Sequence, residues 1–164
     1  MNWFNYYGLL IVSILMLPNT IFAIKHKDGF ENAYKNKAVI VMEQIGRYGC
    51  MFFMVFNIPY TYFNFWFEHA ELVYLWGNVV LSCAYLTFWF VCRNRYGKLR
   101  ALSLSIIPSI IFIFSGVVVA SIPLIVFAVL FGINHILLSY RNLITYCNQS
   151  DSCDTINEDI EKGA

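Results

Sequence analysis

The residues best suited to chemistry lie close together, where charged and amide side chains interrupt an otherwise apolar stretch. Glu43 and Arg47 are four residues apart, so on a helix they share one face and form an ion pair. Gln44 and Tyr48 share the neighbouring face. Ionisable groups are expensive inside hydrocarbon, and where they occur there they mark pathways for protons, ions or polar solutes. The spacing therefore predicts a polar site on one helix.

Further polar residues lie at a matching distance from basic boundaries of other apolar segments. Asn19, Glu43 and His135 each stand six residues from a basic residue that bounds their segment, and six residues of helix rise about 9 Å. Asn134 adjoins His135, and Ser105 lies at a comparable depth. If the second span covers residues 38–57, we expect a cluster that relays a proton or binds the polar group of a solute. The alternative is that these side chains only hydrogen-bond across helices.

The composition indicates that lipid solvates most of these side chains. The chain has 164 residues, of which 59% are hydrophobic and 13% charged, whereas soluble proteins average about 25% charged residues. A formal net charge of +1 argues against nucleic acid as a partner. The long apolar runs likewise exclude disordered and disulfide-stabilised secreted classes.

A transmembrane helix needs about 20 predominantly apolar residues. Barrel strands would alternate apolar and polar residues, and the apolar runs here do not, so helices are predicted. The expected fold is an all-α integral membrane protein, with one domain over residues 1–147 and a polar, acidic, disordered cytoplasmic tail over 148–164. The five expected spans cover residues 3–24, 38–57 or 48–67, 72–92, 101–120 and 122–140.

The second span has two registers that the sequence leaves open. A span over residues 38–57 puts Arg47 near the middle of the bilayer, where an acidic partner is obligatory. A span over residues 48–67, kinked at Pro59, leaves Arg47 at the inner headgroups. In that second register, the preceding segment becomes an interfacial amphipathic helix.

Basic residues mark the side of the membrane that faces the cytoplasm. They occur between the first and second spans, between the third and fourth, and after the fifth, while the opposite loops carry none. The expected arrangement in the cell membrane is multi-pass, with the N-terminus outside and the C-terminus in the cytoplasm. The basic residues that set this orientation are Lys25, Lys27, Lys35, Lys37, Arg93, Arg95, Lys98, Arg100 and Arg141.

No catalytic motif is visible, and no metal or other cofactor is expected. Glu68, His69 and Glu71 carry metal-ligand side chains, but their spacing matches no known zinc pattern.

The favoured function is a small transporter, channel or permease subunit that handles a small solute or a proton. The alternative is a non-catalytic interaction, immunity or regulatory subunit, and an intramembrane lipid-modifying enzyme is least favoured. Five helices form only a thin wall around a pathway, so we expect either a homo-oligomer or a membrane partner subunit. The lipid bilayer is the other expected partner.

Overall fold

The computed structural model describes residues 3–25, 36–58, 60, 61, 65, 67–91 and 98–149. These residues form five α-helices and one isolated bridge between extended residues, which confirms the all-helical prediction. The helices are α1 (Tyr6–Lys25), α2 (Lys37–Val55), α3 (Ala70–Val91), α4 (Lys98–Val119) and α5 (Ile122–Gln149). The predicted tail is helical at residues 148 and 149, and its remainder, 150–164, lies outside the described residues.

Three of the described helical segments are long and apolar enough to cross a membrane, namely Lys37–Val55, Ala70–Val91 and Ile122–Asn142. Two shorter apolar segments, Tyr6–Ile21 and Leu104–Val119, lie in α1 and α4. Length and composition thus agree with membrane insertion for three helices. The number of spans and their orientation stay predictions.

Helix α2 begins at a capped residue and ends where the chain pairs with a distant segment. The side chain of Asn36 accepts a hydrogen bond from the Ala38 amide, 3.1 Å away, and so satisfies one of the unpaired donors at the helix start. At the other end Phe56 is extended, and the Asn5 amide donates to the Val55 carbonyl at 2.8 Å. The helical residues thus coincide with the first of the two stretches as far as Val55, and no described residue between 56 and 69 is helical. The register of the second span in a membrane stays a prediction.

The turn between α4 and α5 is a Schellman motif, in which a residue of left-handed backbone ends the helix. Ala120 has φ 52°, and its amide donates to the Val117 carbonyl at 3.1 Å. The Ser121 amide donates to the Gly116 carbonyl at 2.9 Å. The turn lies at residues 120 and 121, and Pro123 is accommodated in the first turn of α5.

Helix α5 packs between α2 and α4, α3 packs against α4, and α1 contacts both α2 and α3. Helix α2 lies against the backbone of α5 at Gly46. A Cβ atom added to Gly46 would lie 2.7 Å from the Phe131 Cα, so only glycine fits there. This close approach sets the height at which the side chains of α2 and α5 meet.

Helix α3 is polar on its buried face and apolar on its exposed face. Apart from Ala70, its buried residues all carry polar groups, namely Tyr74, Asn78, Ser82 and Tyr85. Its exposed residues include Leu72, Val73, Trp76, Val79, Val80, Leu86, Phe88, Phe90 and Val91. A helix on the surface of a water-soluble protein has the opposite arrangement.

Candidate functional site

The centre of the candidate site is the carboxylate of Glu43, whose side chain is fully buried at 0% exposure. Its Oε1 atom accepts hydrogen bonds from Arg47 Nε at 3.1 Å and from Arg47 Nη2. The Nδ1 atom of His135 lies 2.9 Å from the same oxygen. With Oε1 as the acceptor, Nδ1 carries the hydrogen, and in the neutral imidazole Nε2 then has a free lone pair. We call Glu43, Arg47 and His135 the carboxylate cluster.

Two elements position the carboxylate cluster. The spacing of four residues places Glu43 and Arg47 on one face of α2, as the sequence predicted. His135 comes from α5, one turn beyond Phe131, and its ring stacks on the Phe131 ring with centroids 4.6 Å apart. Because Gly46 contacts the Phe131 backbone, the neighbouring turns of the two helices are near enough for His135 to reach Glu43.

The hydrogen bonding of Glu43 is one-sided. Its second oxygen, Oε2, is buried and has no hydrogen-bond partner within the described residues. Buried polar atoms are normally paired, so such an exception indicates a functional role or a bound water or ion. The Arg47 side chain is 27% exposed, so the ion pair joins a fully buried carboxylate to a partly exposed side chain.

The other residues proposed from the sequence lie elsewhere. Asn134 donates to the Leu130 carbonyl of its own helix at 2.8 Å. Asn19 accepts a hydrogen bond from the Tyr85 hydroxyl at 3.5 Å, between α1 and α3. Gln44 lines a groove on the outer side of α2. The structure thus brings Glu43, Arg47 and His135 together, but not Asn19, Gln44 or Asn134.

Ser105 also has a partner of its own. Its hydroxyl donates to the Ser139 hydroxyl and so joins α4 to α5. Ser109, one turn further along α4, donates to the Ser105 carbonyl at 2.9 Å. The bond between Ser105 and Ser139 thus joins the two helices separately from the carboxylate cluster, whereas the Ser109 bond lies within α4.

A second buried polar pair was missed by the sequence analysis. Asn78 of α3 and Ser115 of α4 are both fully buried, and the Ser115 hydroxyl donates to Asn78 Oδ1 at 3.0 Å. Asn78 Nδ2 donates to the Tyr74 carbonyl at 2.9 Å. The available signal was an asparagine within an apolar segment, a residue type that hydrogen-bonds across membrane helices.

The described residues contain no group of three His, Cys, Asp or Glu side chains that could hold a metal ion. Glu68 and His69 approach each other to 3.9 Å, and both side chains are largely exposed. Comparison of the chain with family models, with curated proteins and with solved structures gave no match in any of the three.

Proposed function

We propose that this chain is an integral membrane protein that crosses the bilayer five times, with its N-terminus outside and its C-terminus in the cytoplasm. The buried polar face and exposed apolar face of α3 support lipid as the surrounding solvent. Helices α1 and α4 have 20 and 22 residues, enough at about 1.5 Å per residue to cross a hydrocarbon layer about 30 Å thick. The basic residues lie at one end of the bundle in this topology.

The carboxylate cluster best supports the transport of a proton or a small polar solute by a transporter, channel or permease subunit. The observation that carries this proposal is the buried Glu43 carboxylate, with Oε1 bound by Arg47 and His135 and Oε2 without a partner. A proton that binds His135 Nε2 allows the Nδ1 proton to pass to Glu43 Oε1 over 2.9 Å. The carboxylate becomes neutral, and its attraction to Arg47 weakens.

Proton flux through reconstituted protein tests this proposal. Liposomes containing the full chain and a pH-sensitive dye are given a membrane potential, and the rate of internal acidification is measured. Glu43→Gln keeps the size of the side chain but removes the titrating group. Glu71→Gln is the matched control, because Glu71 is an exposed carboxylate at the start of α3, outside the carboxylate cluster.

The wild type and Glu71→Gln are expected to acidify the liposomes faster than protein-free membranes do. For Glu43→Gln, the rate of acidification is expected to fall to that of protein-free membranes. Equal rates for the wild type and Glu43→Gln would exclude the proposed relay. Solute uptake is measured with the same variants, since a polar solute would use the same cluster.

The second candidate is a non-catalytic interaction, immunity or regulatory subunit. It is favoured by the bonding of Asn78 with Ser115, and of Ser105 with Ser139, which only join neighbouring helices. In that case the carboxylate cluster also serves only to hold α2 against α5. Glu43→Gln would then lower stability, and neither the wild type nor the variant would move protons or solutes.

A further inference from the structure

The outer side of α2 carries an apolar groove that no other described part of the chain fills. The groove has a volume of about 510 Å³ and lies between α2 and the Phe127 ring of α5. Large side chains that line it along α2 are exposed, namely Val41, Ile45, Tyr48 and Phe52. These residues recur every three or four positions, so they form one continuous stripe along the helix.

Gln44 lies within this stripe and is only partly exposed. Its carboxamide forms no side-chain hydrogen bond with any described residue. An amide that faces hydrocarbon without a partner is unfavourable, because lipid tails neither donate nor accept hydrogen bonds. An occupant of the groove that supplies both a donor and an acceptor at the height of Gln44 would therefore stabilise this amide.

We propose that the occupant is a second copy of this chain, packed α2 against α2 around a two-fold axis normal to the membrane. This inference rests on the proposed membrane insertion, which gives both copies the same orientation and makes the paired helices parallel. Val41, Gln44 and Tyr48 have the spacing of three and then four residues that places side chains on a helix–helix seam.

The chemistry of the amide selects this occupant. In a two-fold contact, residues near the axis face their own counterparts in the other copy. A glutamine carboxamide both donates and accepts, so two Gln44 side chains satisfy each other. Polar residues stabilise helix pairs in membranes in this way, and a single amide on a helix seam also fixes register and oligomeric state. Gln44 thus acts in dimerisation, while its neighbour Glu43 belongs to the carboxylate cluster.

Energy transfer between copies labelled with donor and acceptor dyes, diluted stepwise in liposomes, tests the dimer. The wild type is expected to show transfer at low density. Gln44→Leu should weaken association about three- to twentyfold, as expected for one interhelical hydrogen bond, and Gln44→Asn should restore part of it. Thr87→Val is the control, because the exposed Thr87 hydroxyl already donates to the Cys83 carbonyl of its own helix at 2.8 Å.

Cross-linking then locates the interface. In a variant without native cysteines, Ile45→Cys is expected to form a disulfide-linked dimer, whereas Val80→Cys, on the exposed face of α3, is not. A wild type that stays monomeric, a Gln44→Leu variant with unchanged association, or cross-linking from position 80 alone would overturn the proposal. So would cross-linking of position 45 in native membranes to a different protein instead of a second copy.

These measurements separate the dimer from the proposals on which it rests. Flotation with the liposomes confirms insertion before transfer is measured, so a chain that fails to float contradicts membrane insertion and not the choice of interface. Neither energy transfer nor cross-linking depends on proton flux. A dimer that conducts no protons would therefore contradict only the carboxylate relay.

Discussion

The Nδ1 atom of His135 lies 2.9 Å from Oε1 of Glu43, across the contact between α5 and α2. This hydrogen bond joins the two helices at the height where Arg47 also binds the same carboxylate oxygen. Glu43 is therefore both the centre of the candidate site and a fixed point of the helix packing. Substitutions at the site must be tested for their effect on stability as well as on transport.

Removal of Arg47 is expected to destabilise the bundle through the carboxylate that it leaves behind. Breaking a buried ion pair typically costs about 3 to 5 kcal/mol, because the remaining charge is uncompensated. Because Arg47 is partly exposed, the loss of unfolding free energy in Arg47→Leu should lie at or below the lower end of that range. Unfolding of the protein in mild detergent measures the loss.

The double variant tests the cause of that loss. Adding Glu43→Gln removes the stranded charge, so the double variant should be less destabilised than the sum of the two single variants. If the losses of unfolding free energy in the two single variants sum to the loss in the double variant within about 0.5 kcal/mol, the two side chains do not interact.

Gly46→Ala is expected to separate α2 from α5. The added Cβ would lie 2.7 Å from the Phe131 backbone, which cannot move aside as a flexible side chain can. Overpacking of this kind costs about 1 to 3 kcal/mol, and the displacement should also lengthen the hydrogen bond between His135 and Glu43. The free energy of unfolding in detergent measures the cost.

Gly132→Ala is the matched control for the same substitution. Its Cβ would meet Ser109 at 3.4 Å, an ordinary contact, and alanine favours the helix by about 0.5 to 1 kcal/mol over glycine. We expect this variant to be as stable as the wild type or more so. Equal destabilisation by the two alanines would contradict the close approach at Gly46.

Ala120→Gly is expected to stabilise the protein. Ala120 ends α4 with φ 52°, and the left-handed region costs a residue with a Cβ about 1 kcal/mol or more. Glycine removes that strain but makes the unfolded chain more flexible, so the expected net gain is a few tenths of a kcal/mol. Ala84→Gly, inside α3, should instead destabilise the protein. A thermal unfolding midpoint that falls for Ala120→Gly would show that the turn is unstrained.

Much of the site could be predicted from the sequence, because helix geometry relates residue spacing to height and to face. The spacing of four residues indicated the pair of Glu43 and Arg47, and distance from the basic boundary indicated that His135 lies at their height. Height alone does not say which neighbour a side chain faces. Gln44 is one residue, or about 100° of rotation, from Glu43, and it therefore points away from the carboxylate cluster.

The end of α2 could not be predicted in the same way. The Val55 carbonyl at the end of α2 accepts a hydrogen bond from the Asn5 amide, and the Asn57 amide donates to the Trp3 carbonyl, each at 2.8 Å. Such pairing between distant segments leaves no local signal in the sequence. The end of α2 as a helix depends on this contact, and the register of the second span in a membrane stays a prediction.

The proposed position of Glu43 within the membrane is tested most directly by a spin label beside it. Met42 is exposed on the outer side of α2 and lies next to Glu43 in sequence. In a variant without native cysteines, Met42→Cys carries the label, and Glu71→Cys provides the control at the exposed start of α3. Collisions with oxygen, which concentrates in lipid, are compared with collisions with a water-soluble nickel complex.

We predict that the label at position 42 collides mainly with oxygen and the label at position 71 mainly with nickel. Equal nickel accessibility at both positions would place Glu43 beside water and contradict a carboxylate held within the membrane.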